Sequence, residues 1–233
     1  MTTLTLLSAL ALRAPFEQLL PQWRVANPTL KLDIHWHPSK VLEQNINQGC
    51  AGDVIIATVD TLDRLILEQR VEATSRVEVV DSPIGLAVLA AQPKPDISTG
   101  KKLIDALCHA RSVAWSEAGA SGVWFTEKIK ELGIDQLLRA KGTVIPAGFT
   151  AEQLVNGKAD LAVQQLSELL MVAGVDIVGP FPPELQHPVS LSAGKLSHTQ
   201  VSEQVDQFLI WLKSEEVSAE FARYGMIPRD ESA

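Results

Sequence analysis

Val79-Val-Asp-Ser-Pro-Ile-Gly85 and Val189-Ser-Leu-Ser-Ala193 are the two passages that decide how this chain is organised. Each reads as a strand, rich in β-branched residues and bounded by proline or glycine. Between them lies a block with its own complete alternation of strands and helices. The helical pattern after the second passage belongs by position with the block before the first. A chain that leaves one strand-helix block, builds a second and returns makes two lobes joined by two crossovers. The expected division is a discontinuous lobe of residues 1–81 and 192–233 with a lobe of residues 82–191 inserted into it.

Working outward, apolar β-rich runs alternate with helical patterns on both sides of the seam. Leu4–Leu7, Leu30–Trp36 and Asp53–Ala57 are strand candidates, and helices are expected from Phe16, over Val41–Asn47 and over Thr61–Gln69. Pro15 suits the first turn of the first helix, because its missing N–H has no intrahelical acceptor there. The middle block repeats the rhythm with strands at Ser112–Trp115, Thr143–Ile145 and Leu161–Val163, and one long amphipathic helix is expected from Gln200 to Tyr224. Such alternation is the mark of an α/β protein with mixed, mostly parallel sheets.

Composition narrows the functions. With 20 Lys and Arg against 28 Asp and Glu the formal charge is −8, which disfavours a phosphate backbone as partner, since that affinity comes from clustered cations. Cys50 and Cys108 have no CxxC or His neighbour at ligand spacing, so they are expected as small buried apolar residues. Leu4–Leu12 is the longest early apolar stretch and falls well short of the roughly 20 residues that span a bilayer. It lacks a charged n-region, so the expectation is a chain retained in the cytoplasm, or a periplasmic one already trimmed of its leader. No nucleic acid, no membrane insertion and a monomer are expected.

Four loops between a strand and a helix are rich in small or hydroxyl residues: Ser8–Arg13, His37–Lys40, Glu117–Gly122 and Pro146–Thr150. Each is expected to cap a helix with its hydroxyl and to aim backbone donors beyond the strand end, where open α/β sheets bind ligands. Four at corresponding ends point to an anion, with Arg13 and Lys40 adding charge. No GxxxxGK[ST], GxGxxG, HExxH or GxSxG is present, so no cofactor is expected. His35 and His37 share a strand face without a third ligand, so no metal is expected. Glu117, Glu168 and His37 are the candidate acid/base groups.

Taken in order, Leu4–Trp23, Pro38–Val71, Ser116–Ile134, Asn156–Leu169 and Val205–Pro228 resemble the molybdate-binding-protein-like branch of the type 2 periplasmic solute-binding proteins. The most specific pieces are QGCAGDVI at Gln48–Ile55, the Ser121-Gly122 pair, GKADLAV and the closing FLIWLKSEE with FARYGM. The resemblance implies the type 2 periplasmic-binding-protein fold, two α/β lobes that close on a two-crossover hinge over a small anion, and an ABC permease as partner if the protein is exported. It places ligand contacts at Ala11, Ser39, Ser121, Gly122, Ala147, Gly148 and Gln165. Ala11 stands where such binders carry serine and Gln165 where they carry tyrosine, which weakens molybdate itself as the ligand. Some relatives resembling this chain are aconitate isomerases, so the alternative to a binder of an oxyanion or organic carboxylate is an isomerase of a small unsaturated tricarboxylate.

Overall fold

The computed structural model describes residues 2–229. Strand β1 (Thr2–Ala9) runs through a 3-10 turn, Leu10–Leu12, into helix α1 (Arg13–Ala26). Strand β2 (Leu30–His37), helix α2 (Ser39–Asn47), strand β3 (Val54–Thr58), helix α3 (Val59–Leu67) and strand β4 (Val77–Ser82) follow. β1 pairs in parallel with β2 on one side and β3 on the other. β3 is buried at all of its positions, as a run of Val, Ile and Ala between paired neighbours must be.

The next segment, Pro83–Val189, is a compact unit of its own. It holds strand β5 (Ile84–Leu89), helix α4 (Gly100–His109), strand β6 (Val113–Ser116), helices α5 (Ala120–Glu131) and α6 (Asp135–Lys141), and strand β7 (Thr143–Ile145). Helix α7 (Glu152–Val155), strand β8 (Leu161–Gln165), helix α8 (Leu166–Leu169) and strand β9 (Val175–Pro180) complete it. Its sheet has the order β7-β6-β8-β5-β9, with β7, β6 and β8 parallel and β5 antiparallel to both of its neighbours. On one side of the sheet Ala87, Ala114 and Ala162 pack with Leu154, Leu166 and Leu169. These alanines let the short helices α7 and α8 approach closely. Trp115 and Phe125 meet edge to face at 5.6 Å.

From Ser190 the chain rejoins the first unit with strand β10 (Val189–Lys195), helices α9 (Ser202–Leu212) and α10 (Glu215–Arg223), and strand β11 (Ile227–Pro228). The sheet of this unit has the order β11-β4-β10-β3-β1-β2, with β10 antiparallel to β3. Phe16 of α1, fully buried, is ringed by Trp36, Phe208, Trp211 and Phe221 at centroid distances of 5.7–6.5 Å. Lys195, at the end of β10, has a side chain 7% exposed and pairs with Asp206 at 2.6 Å.

Three expectations need correction. The single closing helix is two, because Ser214 accepts a hydrogen bond from the Val217 N–H and starts a new helix whose first turn carries Glu215 and Glu216. Helix α6 was not anticipated. Cys50 is exposed, after the turn at Gly49, and both cysteines are free thiols.

Candidate functional site

In each unit three parallel strands end on the same side, and each unit carries its polar residues there. In the discontinuous unit those ends are Ala9, His37 and Thr58. Ser8 is fully buried, and its hydroxyl reaches only the Ala9 carbonyl oxygen at 3.4 Å. Ser39 opens α2, but its Oγ accepts from the Thr58 N–H at 3.0 Å, tying the end of β3 to the start of α2. Thr58 Oγ1 in turn donates to Thr61 Oγ1 at 3.0 Å. Ala11 is buried in the turn after β1. Arg13 is paired with Glu17 one helical turn on, at 3.1 Å and with 42% of its side chain exposed, while Lys40 and His37 are exposed.

In the unit of Pro83–Val189 the strand ends are Ser116, Ile145 and Gln165. Gly122 has no room for a side chain, because a Cβ there would overlap the Ser116 carbonyl oxygen. Gly119 is constrained in the same way by Ser116 Oγ. The two glycines therefore let the first turn of α5 sit directly on the end of β6. That turn brings the first N–H groups of α5, which have no intrahelical acceptor, to the strand end. Ser116 and Ser121 are 2% and 1% exposed, and neither hydroxyl has a hydrogen-bond partner among the described residues.

β8 supplies the other half of this set. Its register with β6 pairs Ala114 with Ala162, which carried two residues further puts Ser116 beside Gln164. Gln164 braces the loop at residues 146–150: its Oε1 accepts from the Thr150 N–H at 2.8 Å and from Thr150 Oγ1 at 3.0 Å, and its Nε2 donates to the Gly148 carbonyl at 2.9 Å. Gly148 holds φ +100°, a backbone conformation that favours glycine. Gln165, on the opposite face of the strand, donates from Nε2 to Glu168 Oε2 at 3.2 Å. Its own Oε1, and the hydroxyl of Ser167, are buried without a partner among the described residues.

Glu168 is 5% exposed. Burial pushes its carboxyl up from the ordinary 4.5 to about 8, and hydrogen bonding from Gln165 and Gln164 offsets only part of that. It forms no ion pair among the described residues.

The structure thus brings Ser121, Gly122, Gln165 and Glu168 to neighbouring strand ends of one unit, with Gly148 in the loop that Gln164 braces. Ser39 and Ala11 lie at the strand ends of the other unit. Glu117 is exposed, its N–H bonded to the Ile145 carbonyl, and Ala147 is exposed. The hydroxyl-capping role expected of the four loops is a correction. Among the described residues the helices after β1, β2, β6 and β7 have no side-chain cap bond, their N-cap positions being Leu12, Pro38, Gly119 and Ala151. Ser39 serves β3 instead, and Thr150 is engaged by Gln164. Ser116, Gln164 and Ser167 went unread in the sequence, although Gln164 alternates with Gln165 at the end of an otherwise apolar strand. No group of three or more His, Cys, Asp or Glu side chains among the described residues is placed to hold a metal.

Comparison with known proteins shows the family and the fold. A family model described as bacterial extracellular solute-binding protein matches residues 4–227. An aconitate isomerase from a Pseudomonas species is 32% identical, over 97% of this chain and 88% of its own length. The periplasmic molybdate-binding protein of Azotobacter vinelandii superposes with a TM-score of 0.81 at 21% identity, over 97% of this chain and all of its own. The sulfate-binding protein SubI of Mycobacterium tuberculosis gives 0.79 at 14% identity, over all of this chain and 88% of its own. The two structural likenesses bear on the fold.

Proposed function

This chain belongs to the bacterial extracellular solute-binding protein family, and on that footing we propose that it binds a small anion, an oxyanion or an organic carboxylate, at the carboxyl ends of its parallel strands. One observation carries the reading. Ser116, Ser121 and Ser167 each hold a buried hydroxyl with no partner among the described residues, at the end of β6 and in the first turns of the helices that follow β6 and β8. Buried polar atoms are paired in the great majority of cases, and each unpaired one costs about 1–3 kcal/mol. An anion brought to these groups takes up the hydroxyl donors and the N–H groups of α5. As a binder, the protein delivers that anion to an ABC permease.

The test is a thermal-shift screen with molybdate, tungstate, sulfate, citrate and the two aconitates, since a ligand that binds the folded state raises the midpoint by mass action. At least one of them is expected to stabilise the protein, and Ser121→Ala to weaken that response. Silence toward all six sinks the reading.

A second reading is favoured by the Pseudomonas relative and by Glu168: isomerisation of an aconitate-type tricarboxylate. In that reaction a proton leaves the methylene carbon, the double bond shifts, and a proton is returned to the far carbon of the allyl unit. Glu168, whose ionisation is raised to about 8, takes that proton in its carboxylate form and returns it from the acid so formed. Interconversion of cis- and trans-aconitate, abolished in Glu168→Gln while binding persists, supports this reading. A protein that binds aconitate without turning it over is a binder.

A further inference from the structure

Among the described residues, Glu168 is the one buried ionisable side chain without an ion pair; Lys195 meets Asp206, and Glu220 meets Arg223. Helix α8 packs on β8, β5 and β9. β8 and β5 carry no charged residue, and the one on β9, Asp176, accepts a hydrogen bond from the Ala91 N–H at the far end of β5. On α5, Lys128 pairs with Glu131 and Lys130 with Glu127 on its exposed side, and Glu117 is in solvent. Every group at hand to Glu168 is therefore a neutral dipole. Dipoles of amides and hydroxyls orient an ion but do not cancel a full buried charge, and a carboxyl in such a place takes up a proton instead.

Gln165 Nε2, at the end of β8, donates to this same carboxyl at 3.2 Å, so an anion held at that strand end meets it. As a carboxylate it presents like charge at close range. As an acid it presents an O–H, the partner for an anionic oxygen that gives a short, charge-assisted bond. We propose that Glu168 is a ligand-binding residue that meets the bound anion as a neutral acid, so that anion affinity is held on by one proton and released when that proton is lost. This rests on the anion-binding reading and narrows it to anions that carry their full charge into the site and accept a hydrogen bond there.

The experiment is calorimetric titration of the whole protein with sulfate and with trans-aconitate at pH 7, 8 and 9, where both probes are fully ionised and only the protein titrates. For a carboxyl that ionises at about 8, the dissociation constant rises about tenfold between pH 7 and pH 9. Glu168→Gln, whose amide donates at every pH, is expected to bind with less than a twofold change over the same range. A wild-type constant that is flat across the range overturns the proposal and leaves anion binding standing. The same pH dependence in Glu168→Gln also overturns it. Failure of both probes to bind at any pH overturns the anion-binding reading and this inference with it. If the variant does not fold, the wild-type profile alone decides.

Discussion

Replacing Glu168 by glutamine is expected to stabilise the protein, and by an amount that grows with pH. The carboxyl ionises at 4.5 in the open chain and at about 8 in the folded one. A raised folded value means that this group's contribution is complete below about pH 4.5 and is lost as pH rises through 8. At 1.36 kcal/mol per unit, the wild type loses about 5 kcal/mol from this group across that interval, and the glutamine variant loses none. The variant should therefore exceed wild type by about 1 kcal/mol at pH 5, about 3 at pH 7 and about 5 at pH 9, provided the amide keeps the Gln165 contact. Urea unfolding of both proteins at the three pH values measures this, because the titration of every other group cancels in the difference. A stability difference that stays constant from pH 5 to pH 9 would refute the reasoning, showing that the folded protein holds Glu168 as an ordinary carboxylate. The gain in stability is also expected to come with loss of the pH dependence proposed for anion binding.

Gly122→Ala sets a methyl group against the Ser116 carbonyl oxygen, so the start of α5 has to move; a loss of about 1–3 kcal/mol in urea unfolding is expected, together with weaker anion binding. Ser39→Ala removes the acceptor for the buried Thr58 N–H and should cost about 1–3 kcal/mol, whereas Ser39→Thr, which keeps the oxygen, should cost less. Arg13→Gln breaks an exposed pair with Glu17, and its effect on stability should stay within about 0.5 kcal/mol and vanish in high salt. If that variant instead abolishes anion binding, Arg13 is a ligand residue and its pairing with Glu17 is incidental.

Periodicity made the alternation of elements legible. The apolar run within Asp53–Ala57 reads as a strand buried on both faces, and β3 covers Val54–Thr58, while the Thr143–Ile145 strand falls where its β-branched residues put it. Element ends were less legible, because they depend on partners far along the chain. Ser116 and Gln165 look like loop residues in the sequence, and they end strands because β6 and β8 pair with each other and with β7 and β5. The break between α9 and α10 depends on one cap bond at Ser214, within a stretch whose apolar spacing runs on through both helices. The site residues divide on the same line. Glycines forced by close packing, Gly119 and Gly122, show in the sequence as a small-residue cluster. The use of a hydroxyl does not show: Ser39 and Ser121 are both serines in early helix turns, yet one satisfies the backbone of β3 and the other has no partner among the described residues.

Charge is where sequence-level reasoning and the structure part furthest, and the difference bears on how an acidic chain can hold an anion. For a chain of net charge −8 to hold an anion, local cations are the first candidates, and Arg13 and Lys40 are the ones its sequence offers. Arg13 is half-buried and paired with Glu17, and Lys40 is exposed; a cation open to water contributes little because water and salt screen it. The buried groups without a partner among the described residues include the hydroxyls of Ser116, Ser121 and Ser167, which are neutral donors. Neutral donors in a low-dielectric place stabilise an anion through fixed dipoles, without adding a countercharge that would itself have to be desolvated. Such a set discriminates by hydrogen-bond geometry and by proton state, and Glu168 is the member that can change state. If the cations were the main determinant, affinity would fall steeply with ionic strength and be indifferent to pH between 7 and 9. With neutral donors and one proton, the salt dependence should be shallow and the pH dependence about tenfold over that range, so a salt titration beside the pH series separates the two designs.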